Sequence, residues 1–136
     1  MTERQVIDWL RSLPRYREWA AVLGHYVASY DYSGPENNKF LKWLIPSKIY
    51  GINCNPAFYA HDGDYVIGGT DLDRHRADAN MLMIGLRIVE EAPRKWWLYG
   101  ANWLRRNLAK RRLLKYYNAV RAGGKSSFNY TRLPDA

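Results

Sequence analysis

The stretch from Ala57 to Met83 sets the terms on which this chain can fold. Two segments rich in apolar, helix-compatible residues flank Gly68-Gly69, and a glycine pair at that position ends one helix and lets the chain turn into the next. Pro56 suits the first position of the earlier helix, which Ala57, Phe58, Ala60, Tyr65, Val66 and Ile67 continue. In the later one Ala77, Met81, Ile84 and Ile88 recur at helical spacing, with Asp71 or Asp73 as its cap and Pro93 at its end. The same stretch concentrates His61, Asp62, Asp64, Tyr65, Asp71, Asp73, His75 and Asp78. The expectation is a small, mostly α single domain built on two antiparallel core helices that carry this polar set.

Around that centre the pattern stays helical. Thr2 caps a short helix whose Val6, Ile7 and Leu10 share a face, and Pro14 ends or kinks it. From Arg15 onward Tyr16, Trp19, Ala20, Leu23, Tyr26, Val27 and Tyr30 alternate steps of three and four, which predicts one buried amphipathic helix. His25 lies beside that stripe and reads as a surface or structural histidine. Asp31 to Asn38 is dense in turn formers and predicts a loop. The apolar run Phe40 to Ile45 is too short to separate a helical turn from a strand, and irregular structure or a short helix is expected. Ser47 to Pro56 reads as an ordered loop that presents carbonyls next to the helix of His61. Beyond Pro93 the chain forms one long helix, or two joined near Gly100, closed by Gly123-Gly124. The expected domain covers 1–128, with 129–136 a loosely ordered tail; no strand alternation is evident.

Charge divides the chain sharply. Residues 1–91 hold 10 Lys+Arg against 12 Asp+Glu, a net of −2, whereas 92–136 hold 11 against 1, a net of +10. Cys54 is the single cysteine, so an intramolecular disulfide is excluded and a reducing compartment is favoured. Charged residues interrupt every apolar cluster near the N-terminus, so no signal peptide is readable, and no uncharged run reaches the roughly 18 residues of a membrane span. A cytoplasmic or virion-associated protein is expected.

His61 and Tyr65 are four apart and share a helix face, while Asp62 is rotated by about 100° and can face the preceding loop. With the two helices antiparallel, Asp78 can accept a hydrogen bond from one imidazole nitrogen and leave the other free to deprotonate water. Tyr65 and Arg74 are the natural further donors to a buried carboxylate at Asp78. The chain has neither a G-x-S-x-G elbow nor a reactive-cysteine motif near a histidine, which leaves a covalent mechanism without support. The competing reading of the same residues is a polar network that ties two helices together and does no chemistry. Asp64, Asp71, Asp73 and His75 read as caps and solvated charges.

The pattern His61-Asp62-x-x-Tyr65 followed by Arg74-x-x-Ala77-Asp78 resembles the phospholipase A2 superfamily, in particular its short, disulfide-poor bacterial and phage branches. Tyr117-x-Ala119-Val120-Arg121-x-x-Gly124 is similar to the C-terminal end of small phage or prophage proteins with the same His-Asp core. The resemblance spans roughly residues 45 to 128. It implies that His61 is a general base, that Asp78 orients it, that Tyr65 steadies Asp78, and that Asp62 binds Ca²⁺ with loop carbonyls. The cation would then polarise a phospholipid ester carbonyl. The chain departs from the secreted enzymes at residues 49–55, where Gly51 is the sole glycine and their half-cystines are absent. The alternative is a non-enzymatic phage structural or host-interaction protein that retains the fold.

The C-terminal basic segment supplies Arg105, Arg106, Lys110, Arg111, Arg112 and Lys115 beside Trp96, Trp97, Trp103 and several leucines. Three partners fit: solvent along the outer face of a core helix, the anionic headgroups of a membrane, or the phosphates of nucleic acid bound without sequence preference.

Overall fold

A computed structural model describes residues 1–32 and 48–131. The apolar run 40–45, most of the loop expected at 31–38 and the tail residues 132–136 lie outside the described residues. Five α-helices dominate, and the described chain is 70% helical within one small domain. Helix α1 (Glu3–Ser12) and helix α2 (Tyr16–Leu23) come first, then strands β1 (Lys48–Ile49) and β2 (Ile52–Asn53). Helices α3 (Asn55–Ile67), α4 (Asp71–Glu90) and α5 (Ala101–Gly123) follow, with single 3₁₀ turns at Trp96–Leu98 and Gly124–Ser127.

Local chemistry accounts for most boundaries. Thr2 caps α1 through a capping box in which its hydroxyl accepts from the Gln5 N–H and the Gln5 side chain accepts from the Thr2 N–H. Helix α4 has the same device, and here the expectation fails by one position: Thr70, not Asp71 or Asp73, is the cap. Asp73 is the reciprocal partner three residues on, accepting from the Thr70 N–H at 2.9 Å.

Two further expectations are corrected. The stripe from Tyr16 to Tyr30 is not one helix, because Gly24 takes φ 78° and ends α2 at Leu23. Tyr26 is still buried, but Val27 and Tyr30 are about half exposed. The 48–53 segment is an antiparallel hairpin rather than a loop, with Ile49 opposite Ile52. Tyr50 (φ 51°) and Gly51 (φ 76°) form its two-residue turn, and left-handed φ at both positions is what a type I′ hairpin turn requires.

The core is largely aromatic. Tyr59, fully buried, meets Trp19, Tyr26 and Tyr32 edge-on at centroid distances of 6.4, 5.4 and 5.0 Å, and its hydroxyl donates to the Gly24 carbonyl. Tyr59 thus explains why Tyr26 stays buried outside any helix. Helix α3 is covered by α2 on one side and α4 on another, and α4 packs in turn on α5. Close approach is enforced by small residues: a Cβ on Gly63 would lie 2.6 Å from Trp19, and one on Gly85 would lie 2.9 Å from Leu113. Among the described residues no helix is long and apolar enough to cross a membrane.

Candidate active site

Helices α3 and α4 are joined by Gly68, Gly69 and Thr70, so α4 folds back along α3. This brings His61 and Tyr65, one turn apart on α3, against Asp78 near the middle of α4. His61 Nε2 lies 2.7 Å from Asp78 Oδ1, and the Tyr65 hydroxyl donates to the same oxygen at 2.6 Å. The His61 and Tyr65 rings are tilted together at 4.1 Å between centroids. Asp78 is fully buried, and a carboxylate there is tolerable only if its lone pairs are filled and its charge is answered.

The other oxygen answers the charge. Arg121, from the last turn of α5, donates from Nη1 to Asp78 Oδ2 at 2.7 Å, and Arg74 Nη1 stands 3.8 Å from that oxygen. Arg74 is itself buried and its Nη1 also reaches the Val120 and Arg121 carbonyls at 3.5 Å, so it fills the C-terminal end of α5; among the described residues its Nε has no hydrogen-bond partner. Burial alone would raise the Asp78 carboxyl, but hydrogen bonds from His61, Tyr65 and Arg121 outweigh it and hold the group below the ordinary carboxylate value. Burial, together with the adjacent Asp78 charge, pushes the Tyr65 phenol well up, so it remains a donor.

An ionised carboxylate only accepts, so the nitrogen facing it must carry the proton. In the neutral ring Nε2 is therefore N–H, and Nδ1 holds the free lone pair. The His61 side chain is 11% exposed, which leaves the ring a narrow opening.

Tyr65 is locked from behind by the chain's last described turn. Phe128 meets it edge-on at 5.1 Å, Asn129 N donates to its carbonyl, and a Cβ on Gly124 would lie 2.5 Å from its hydroxyl. Residues 129–131 are thus tied to the domain, with Tyr130 donating to Asp71 at 2.9 Å.

Asp62 points elsewhere, as its rotation predicts. It lines a cavity of about 490 Å³ walled by Leu23, His25, Val27, Ser29, Tyr30 and Tyr32. The expected neighbour was the 47–56 segment. Among the described residues the 23–32 segment takes that place, because the hairpin at 48–53 turns toward α1 and Arg105 instead. Calcium takes about six to eight oxygens. The described residues contain no group of three His, Cys, Asp or Glu able to hold a metal. Among the described residues Asp62 is the one carboxylate of that cavity wall, and no chemical step is assigned to the ion.

Asp64 is a second correction, since it is no solvated charge. It is buried, and its Oδ1 accepts from Arg15 at 2.7 Å and from the Trp19 indole at 2.8 Å, which ties α2 to α3. Asp71 and Asp73 sit at the start of α4, and His75 is exposed. His25 is exposed too, with Nδ1 3.2 Å from the Tyr16 hydroxyl.

Five of the seven basic residues of α5 are engaged within the molecule, Arg121 with Asp78 as described. Arg105 donates to the Tyr50 carbonyl, Arg106 to the Ala92 carbonyl and Arg112 to the Tyr116 hydroxyl, while Lys110 pairs with Glu90. Arg111 and Lys115 are exposed and have no such partner among the described residues.

Sequence reasoning did not foresee Arg121 as the counter-charge of Asp78, nor the Arg15–Asp64 pair. For Arg121 a signal existed: it follows the buried Val120 and precedes Gly123-Gly124, unlike the cations farther up the helix. Compared with known proteins, the chain matches no family model, no curated protein and no solved structure.

Proposed function

We propose that this chain is a phospholipase A2-like hydrolase, of the phage or prophage kind, that cleaves a phospholipid ester by direct attack of water. The observation that carries the reading is the His61–Asp78 hydrogen bond of 2.7 Å on a carboxylate that is buried, ionised and shared with Tyr65. His61 Nδ1 takes a proton from water as the water oxygen bonds to the ester carbonyl carbon. Asp78 stabilises the imidazolium so formed, and Tyr65 keeps Oδ1 in place. When the tetrahedral intermediate collapses, the carbon–alkoxide bond breaks and the imidazolium returns the proton to the leaving alkoxide. Calcium at Asp62 belongs to the proposal as a dependence to be measured.

A second reading is favoured by the reach of the same network. Asp78 joins α3, α4 and α5 through His61, Tyr65, Arg74 and Arg121, which is what a purely structural polar clasp would do in a non-enzymatic phage structural or host-interaction protein. Fatty acid release from mixed phospholipid vesicles, with Ca²⁺ or with chelator, separates the two. Turnover lost in His61→Ala while its circular dichroism is unchanged supports the hydrolase. Release indistinguishable between wild type and His61→Ala in every condition leaves the structural clasp.

A further inference from the structure

The cations of α5 divide by the direction they face. At 100° per residue, Asn102, Ala109, Leu113, Tyr116 and Val120 form the buried side. Opposite them stand Trp103 (72% exposed), Leu104 and Leu114 (each 50%), together with Arg111 and Lys115. At the N-terminal end of the helix, Trp97 (56%) and Tyr99 (81%) are exposed as well, with the Lys95 ammonium 5.5 Å over the Trp97 ring. No Asp or Glu occurs anywhere in α5.

From this we infer that the outward face of α5, with Trp97 and Tyr99 at its head, is an interfacial surface for an anionic lipid bilayer. Indole and phenol rings beside cations belong at the level of the headgroups, where the ring enters the acyl boundary and its polar edge stays wet. Leu104 and Leu114 add apolar surface, and Arg111 and Lys115 answer lipid phosphates. Two other occupants fit less well. Nucleic acid would engage the cations, but it would leave the leucines and most of the aromatic surface facing water. A second copy meeting this face symmetrically would set Arg111 and Lys115 against their own likeness.

The inference stands without catalysis, and so does its test. Wild type and variants are sedimented, in chelator, with vesicles of phosphatidylcholine alone or mixed with phosphatidylglycerol. Binding to the mixed vesicles, a loss of roughly tenfold or more in Arg111→Gln/Lys115→Gln, and a loss in Trp103→Ser/Leu114→Ser are expected. Arg4→Gln/Arg76→Gln removes equal charge elsewhere on the surface and should bind like wild type. All five side chains of the face are exposed, so folding is not at stake, and circular dichroism verifies it. No vesicle binding, or an equal loss in the Arg4/Arg76 control, overturns the inference. So does duplex DNA binding that is lost in Arg111→Gln/Lys115→Gln while vesicle binding persists, or a dimer that the Trp103/Leu114 variant dissolves.

Discussion

Gly124→Ala tests how tightly the end of the chain grips the candidate site. Gly124 has φ −80° and ψ −9°, a conformation alanine adopts freely, so no backbone strain enters. The added methyl would lie 2.5 Å from the Tyr65 hydroxyl, whereas the nearest ring carbons, Cε2 and Cζ, are at 3.4 Å, an ordinary contact. To clear the methyl the phenol oxygen must retreat by about 1 Å, which opens its 2.6 Å bond to Asp78 toward the limit of hydrogen bonding. Overpacking of this kind costs about 1–3 kcal/mol, and a hydrogen bond to a charged acceptor is worth about 1.5–3 kcal/mol. The fold yields along the softer route, so about 2–3 kcal/mol is expected, read as a urea midpoint lowered by about 1–2 M. The decisive measurement repeats the substitution in Tyr65→Phe, where the clashing atom is gone. There Gly124→Ala should cost less than about 1 kcal/mol, a coupling well outside the ~0.3–0.5 kcal/mol scatter of independent sites. Equal costs in the two backgrounds would refute the reasoning.

The pH dependence of stability follows from Asp78. Its carboxyl lies below the ordinary value of 3.8 in the fold, so its stabilising contribution is complete above that value and drains away as pH falls through the folded value. Urea midpoints recorded from neutral pH downward should show this acid loss in wild type and a shallower one in Asp78→Asn. Gly24 and Gly68 both have left-handed φ, 78° and 77°, but a Cβ on Gly24 meets nothing within 4 Å among the described residues, while one on Gly68 would sit 1.9 Å from the Asn129 carbonyl oxygen. Gly24→Ala should therefore cost about 1 kcal/mol of backbone strain, and Gly68→Ala upward of about 3 kcal/mol, in denaturant titrations. Burial pushes the Cys54 thiol up to about 12, so a maleimide should label it only as fast as the protein opens, and labelling should accelerate with urea in step with unfolding.

What the sequence revealed of this molecule depended on the range over which each cause acts. The turn at Gly68-Gly69, the shared face of His61 and Tyr65, and the helical character of 55–90 are set by neighbours within a few residues, and spacing exposes them. The proximity of Asp78 to that face needed one further step, a fold-back whose connection is three residues long. The misread end of α2 turned on one glycine inside a convincing apolar period: Tyr26 continues the period in sequence but is buried for another reason, the edge of Tyr59. The hairpin at 48–53 is only two residues per strand, too brief for alternation to register. Arg121 stands 43 residues from Asp78 and Asp64 stands 49 from Arg15; no local pattern reports such pairings, and both contacts come from the packing of helices far apart in the chain.

The position of Arg121 also makes the burial of Asp78 depend on α5. The chain through α4 contains His61, Tyr65 and Asp78, yet it lacks the cation that sits 2.7 Å from the carboxylate. Without α5, closing α3 on α4 would bury a carboxylate whose nearest guanidinium is Arg74 at 3.8 Å. Arg74 depends on α5 as well, because the carbonyls it reaches are those of Val120 and Arg121. The carboxylate that faces the imidazole therefore has its full set of partners only when α5 is packed to its last turn.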